Sequence, residues 1–146
     1  MGIGNLLMGD EGVGIHVVRQ LQKSKELSDI EIIDGGTGGV QLLDFFLRHD
    51  LAILVDAAMD QQESGTVTRL KPIYSKDYPK TVMVHDIGLK DILDALHLLD
   101  KKPEIVLFTI SISKVDKIGM KLSSKIRSVV PQVAENIKTY LKSVTE

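Results

Sequence analysis

The run Gly2-Ile3-Gly4-Asn5-Leu6-Leu7-Met8-Gly9-Asp10-Glu11-Gly12-Val13-Gly14 leaves few folds open to this chain. Five of the first fourteen residues are glycine, so the backbone there turns tightly and approaches other groups closely. Val13, Val17, Val18 and Leu21 then recur on one face at helical spacing. A strand end, a glycine loop and a helix start form the site-building corner of an open α/β sheet. Two adjacent carboxylates, Asp10 and Glu11, stand inside that loop.

The remaining residues alternate in the same way. A helix is predicted over 12–22 and a strand over 30–34, ending at Asp34 in a second glycine loop, Gly35-Gly36-Thr37-Gly38-Gly39. A helix follows over 40–49. The continuous apolar run 51–55 reads as a strand covered on both faces, stopping at Asp56. Residues 66–70 alternate as a half-exposed edge strand, and 71–81 reads as a long loop of the kind that often carries function. Val82-Met83-Val84 leads to His85, and Asp86 is a natural N-cap for a helix over 87–99. A strand over 104–112 and a helix over 123–143, interrupted early by Pro131, complete the chain.

This order predicts one α/β domain over residues 1–146: a three-layer α/β/α sandwich around a mostly parallel five-stranded sheet with one antiparallel edge strand. Ligands of such sheets bind beyond the carboxyl ends of the strands. Asp10, Glu11, Asp34 and Asp56 gather there, with His85 able to reach the same rim. The apolar residues before the first glycine are few. Either the first strand is very short or the protein starts upstream.

Composition narrows the chemistry. There is no cysteine, which excludes disulfides, thiolate metal sites and a cysteine nucleophile. The net charge of −2 offers no basic surplus for nucleic acid. No apolar run is long enough for a membrane span and no secretory signal is evident, so a cytoplasmic protein is expected. The dinucleotide fingerprint fails at Leu7, where glycine or alanine belongs, and Asp10 and Glu11 repel phosphate. The phosphate-loop, zinc-protease and serine-hydrolase signatures are all missing.

What remains is Glu11, Asp56 and His85, a mixed oxygen and nitrogen set suited to a divalent transition metal with open positions. By pattern alone each has a commoner, structural reading. Glu11 suits a helix start, Asp56 and Asp34 suit turns, and His85 suits a backbone hydrogen bond before a helix. His16, His49 and His97 read as helix-surface residues.

Taken together, the Gly2–Gly14 run, Asp34-Gly35-Gly36-Thr37, Val55-Asp56-Ala57 and His85-Asp86-x-Gly88-Leu89 resemble the hydrogenase maturation endopeptidases. The four motifs stand in the family's order and span residues 2 to about 96. The resemblance implies removal of a short C-terminal peptide from the nickel–iron hydrogenase large-subunit precursor after nickel insertion. It implies Glu11, Asp56 and His85 as residues contacting nickel supplied by the substrate, with no organic cofactor. It implicates Asp34 in function, and Asp34 or Asp10 is the candidate general base. Two other readings stay open: a metal-sensing chaperone that docks on the same precursor without cutting it, and a nucleotide-binding α/β domain.

Overall fold

A computed structural model describes residues 1–37, 39, 42–73, 87–101, 103–115 and 117–146, with the side chains of 87–90 left aside. The helices are α1 (Val13–Leu21), α2 (Leu43–Arg48), α3 (Ile87–Leu98) and α4 (Ser124–Thr145). The strands are β1 (Leu51–Ala58), β2 (Val67–Leu70) and β3 (Glu104–Ser111). β3 lies in the middle, parallel to β1 and antiparallel to β2. The antiparallel edge strand is therefore where residues 66–70 were expected to run.

Side-chain alternation divides the core in two. Val55 and Ala57 of β1 with Val106, Phe108 and Ile110 of β3 pack against α1 and α4. Ala52, Leu54, Ile105 and Leu107 point the other way, against α2 and α3. Successive strand residues face opposite sides of a sheet, and both sides are apolar here, so helices must cover both. On α4 the inward face is Ile126, Val130, Val133, Ala134, Ile137 and Tyr140. That stripe recurs at helical spacing and holds the helix continuous through Pro131. The early interruption expected at Pro131 does not occur: packing outweighs one lost backbone hydrogen bond.

The regular sheet has three strands among the described residues, against the five expected. Residues 1–3 and 33–35 pair with the sheet, but only through isolated bridges. Gly2 pairs in parallel with both Asp34 and Val55. Its N–H donates to the Ile33 carbonyl at 3.0 Å, and Ile3 N–H donates to Val55 at 2.8 Å. The segment 82–84 lies outside the described residues. β1 runs past its expected end: Asp56 sits inside the strand, because β3 stays paired with it as far as Ala58↔Ser111. No helix among the described residues is long and apolar enough to cross a membrane.

The corner between sheet and α1 is closed by backbone meeting backbone. A Cβ on Gly14 would stand 2.2 Å from the Val55 carbonyl oxygen and 2.5 Å from that of Ile3. A Cβ on Gly4, at φ +148°, would stand 2.3 Å from the Glu11 carbonyl oxygen. Gly14→Ala is expected to cost about 2 kcal/mol or more, since rigid backbone must move. Urea denaturation measures it; a loss below about 0.5 kcal/mol contradicts the packing described.

His16, on α1, titrates below its ordinary range, chiefly through burial and secondly through the neighbouring Arg19 charge, against a smaller opposing effect from the Met120 backbone. A depressed imidazole binds fewer protons folded than unfolded. Its contribution to stability is complete above about pH 6.5 and is lost as pH falls below that value. Melting temperature measured from pH 7.5 to 5.5 should fall less steeply in His16→Gln than in the parent chain.

Candidate active site

The glycine loop delivers Glu11 to the strand ends. Beyond Gly4, Asn5 closes a turn by accepting the Leu7 N–H at its side chain, 3.0 Å, and the Met8 N–H at its carbonyl, 3.1 Å. Gly9 takes φ +55°, and a single 3-10 turn, Gly9–Gly12, runs straight into α1. Glu11 lies in that turn and is only 7% exposed. The turn packs against β1, whose Asp56 is fully buried.

Asp56 lies on the face of β1 that Ala52 and Leu54 share, toward the α2 and α3 layer. Its Oδ1 accepts the Ala57 N–H at 2.7 Å. Neither Glu11 nor Asp56 lacks interaction partners. Two carboxylates removed from water are costly unless hydrogen bonds, cations or a metal compensate them.

Sequence reasoning overlooked the residues beside Asp56. Thr109 is its register partner on β3, and Thr68 of β2 pairs with Thr109 in turn. Thr109 and Ser111 are almost completely buried, and the Ser111 hydroxyl donates to the Asp60 carboxylate at 3.1 Å. The signal was available: Thr109-Ile110-Ser111 breaks an otherwise apolar strand with two small hydroxyl residues on one face. Hydroxyls in such a row supply hydrogen bonds to a buried acid.

The other two acids are arranged differently. Asp34 is 42% exposed at its side chain and stands 3.7 Å from Arg19. Its Oδ1 accepts the Gly36 N–H at 2.9 Å, the turn expected ahead of these glycines. Since Gly2 lies between Asp34 and Val55, Asp34 is two chain spacings, roughly 10 Å, from β1. Asp10 turns toward α4: its two oxygens accept the Ser123 N–H at 2.7 Å and the Ser123 hydroxyl at 2.8 Å. Ser123 is the N-cap of α4 and accepts from Ile126 N–H at 3.5 Å. Asp10 therefore ties the glycine loop to the start of α4.

His85 lies outside the described residues, two positions before α3 begins. Among the described residues no three His, Asp or Glu side chains stand close enough to hold one ion. The described part of the site is the acid pair Glu11 and Asp56 with the hydroxyl row beside it. Carboxylates are hard oxygen donors of the kind that bind divalent cations.

Comparison with known proteins gives the following. The family model described as "HycI: Hydrogenase maturation protease" matches residues 15–140. The hydrogenase expression/formation protein HupD of Rhizobium leguminosarum bv. viciae is 33% identical over 98% of this chain and 73% of its own length. The hydrogenase 2 maturation protease of Escherichia coli K12 is 33% identical over 71% of this chain, which spans 65% of that relative. The solved structure of the Escherichia coli hydrogenase maturating endopeptidase HybD shares the fold, with a TM-score of 0.82 at 24% identity, covering 98% of this chain and 90% of that one.

Asp10→Ala should cost about 1 kcal/mol, because it unties the first turn of α4. Ser123→Ala in the same background should add less than it does alone. A double-mutant cycle in urea reads the coupling; strictly additive losses would remove the tether.

Proposed function

Because this chain belongs to the hydrogenase maturation protease family, we propose that it is an endopeptidase removing a short C-terminal peptide from a nickel–iron hydrogenase large-subunit precursor, after nickel has been inserted. The observation that supports this most directly is the burial of Glu11 and Asp56 where the 3-10 turn meets the end of β1. In this reading the two acids and His85 grip the nickel that the substrate carries. A precursor without nickel offers them nothing to hold, so recognition doubles as a check on maturation. Asp56 faces the layer that contains α3, which is the helix His85 leads into.

The nickel supplies a positive charge that polarises a neighbouring carbonyl or acidifies a bound water. A carboxylate then takes the proton from the attacking water, and Asp34 suits this better than Asp10. Asp34 is half exposed beside the strand ends, and the Gly36 N–H orients one of its oxygens. Asp10 has both oxygens occupied by Ser123. The same reading takes the segment around Gly2 and the strand expected over 30–34 as the fourth and fifth strands of the sheet. It assigns the protein to the cytoplasm with its substrate.

The test is incubation with nickel-loaded and nickel-free precursor, with product mass measured. Only the loaded precursor should lose its C-terminal peptide. Glu11→Gln, Asp56→Asn and His85→Ala should each slow processing about 100-fold or more, and Asp34→Asn should lower kcat by a similar factor. Circular dichroism checks that each variant folds. An intact precursor mass with a stable complex would make the protein a chaperone. Full activity of the three ligand variants would end the metal assignment.

A further inference from the structure

A second surface adjoins this site. Between α1 and α4 opens a cleft of about 390 Å3. His16, Arg19, Lys23 and Arg127 line it, and no carboxylate among the described residues does. Arg127 is fixed in place, donating from Nη2 to the Leu122 carbonyl at 3.0 Å. Arg19 is held only by the exposed 3.7 Å contact with Asp34, a weak pairing in water. The Nε2 of His16 is buried and makes no hydrogen bond.

An apolar lip continues from the cleft. The His16 ring meets the backbone of Met120. Just beyond, Gly9 N–H donates to the Gly119 carbonyl and Gly119 N–H donates to the Leu7 carbonyl, both at 2.7 Å. This pairing holds Leu7, Ile118 and Met120 out into solvent at 56%, 82% and 54% exposure. Lys117 and Lys121 flank them, also exposed, while Asp116 lies outside the described residues. The lip begins at the same 3-10 turn, Gly9–Gly12, that carries Glu11.

Three large apolar side chains on a backbone-paired platform are suited to binding apolar groups. Two guanidiniums and an ammonium in one cleft are suited to carboxylates, which arginine meets with its planar fork. Nucleic acid fits poorly, because no aromatic side chain lines the cleft and the chain as a whole carries −2. We propose that lip and cleft form one track that docks an acidic polypeptide segment, an apolar side chain resting on Leu7, Ile118 and Met120 and its carboxylates entering among Arg19, Lys23 and Arg127. That this polypeptide is the precursor rests on the protease reading above.

The experiment compares the parent chain with Lys23→Glu, Ile118→Ser and, as a distant control, Lys142→Glu. Processing kinetics and fluorescence-anisotropy binding of nickel-loaded precursor are measured from 50 to 300 mM NaCl. Lys23→Glu should raise KM about tenfold and flatten the salt dependence, Ile118→Ser should raise KM about threefold, and kcat should hold in both. Lys142→Glu should match the parent. Unchanged KM in both track variants, with Asp56→Asn still abolishing cleavage, overturns the track and leaves the protease intact. If the parent chain binds precursor without cutting it, salt-sensitive binding weakened by Lys23→Glu supports the track. Binding that ignores salt and Lys23, or no binding at all, overturns it.

Discussion

Backbone meets backbone where α1 begins, and the rest of the molecule is arranged around that meeting. Gly14 lies so close to the carbonyls of Ile3 and Val55 that no side chain fits between them. The approach brings the first turn of α1 onto the ends of the strands rather than beside them. It also leaves the 3-10 turn before α1 with one course, over β1, carrying Glu11 into the interior. A helix entered through an ordinary residue would stand off from the sheet by a side chain's width. Glu11 would then be a solvated loop acid of the kind that pattern alone suggests.

Charge inside the molecule is handled unequally, and the inequality separates the four acids. Asp10 and Asp34 stay nearer the surface, and N–H and O–H donors fix them: the distant Ser123 for one, the nearby Gly36 for the other. Such bonds fix loops, and an acid bound in this way remains at or near the surface. Glu11 and Asp56 are withdrawn from water where β1 ends, with Thr109 and Ser111 extending the polar row. Burial of two acids is unfavourable for folding alone.

The same loop serves both surfaces. Its glycines deliver the acid pair inward, and the pairing of Leu7 and Gly9 with Gly119 turns apolar side chains outward. A single short segment therefore links the candidate chemistry to the track for a partner chain. A family of proteases that acts on one large folded precursor needs such a coupling, because the scissile peptide must be presented while the bulk of the substrate stays outside.

Much of the fold could be read from residue order. Apolar runs at 51–55 and 104–112, buried on both faces, required helices on both sides of the sheet, and the helical stripes of α1, α3 and α4 supplied them. Turn chemistry at Asp34 was legible because it is local, involving Gly36 two residues away. The extent of β1 was not. Asp56 reads as a terminator, yet it stays in the strand because β3, nearly fifty residues on, continues to pair with it. Pro131 reads as a break, yet the buried face of α4 carries the helix across it. Asp10 was legible as a loop acid, but its partner Ser123, 113 residues away, was not. Periodicity and glycine placement thus settled the helices and the three regular strands, since those depend on neighbours along the chain. Which acids are buried and which stay nearer the surface was decided only when distant segments met, because burial and long-range hydrogen bonds belong to the folded arrangement and not to any stretch of sequence.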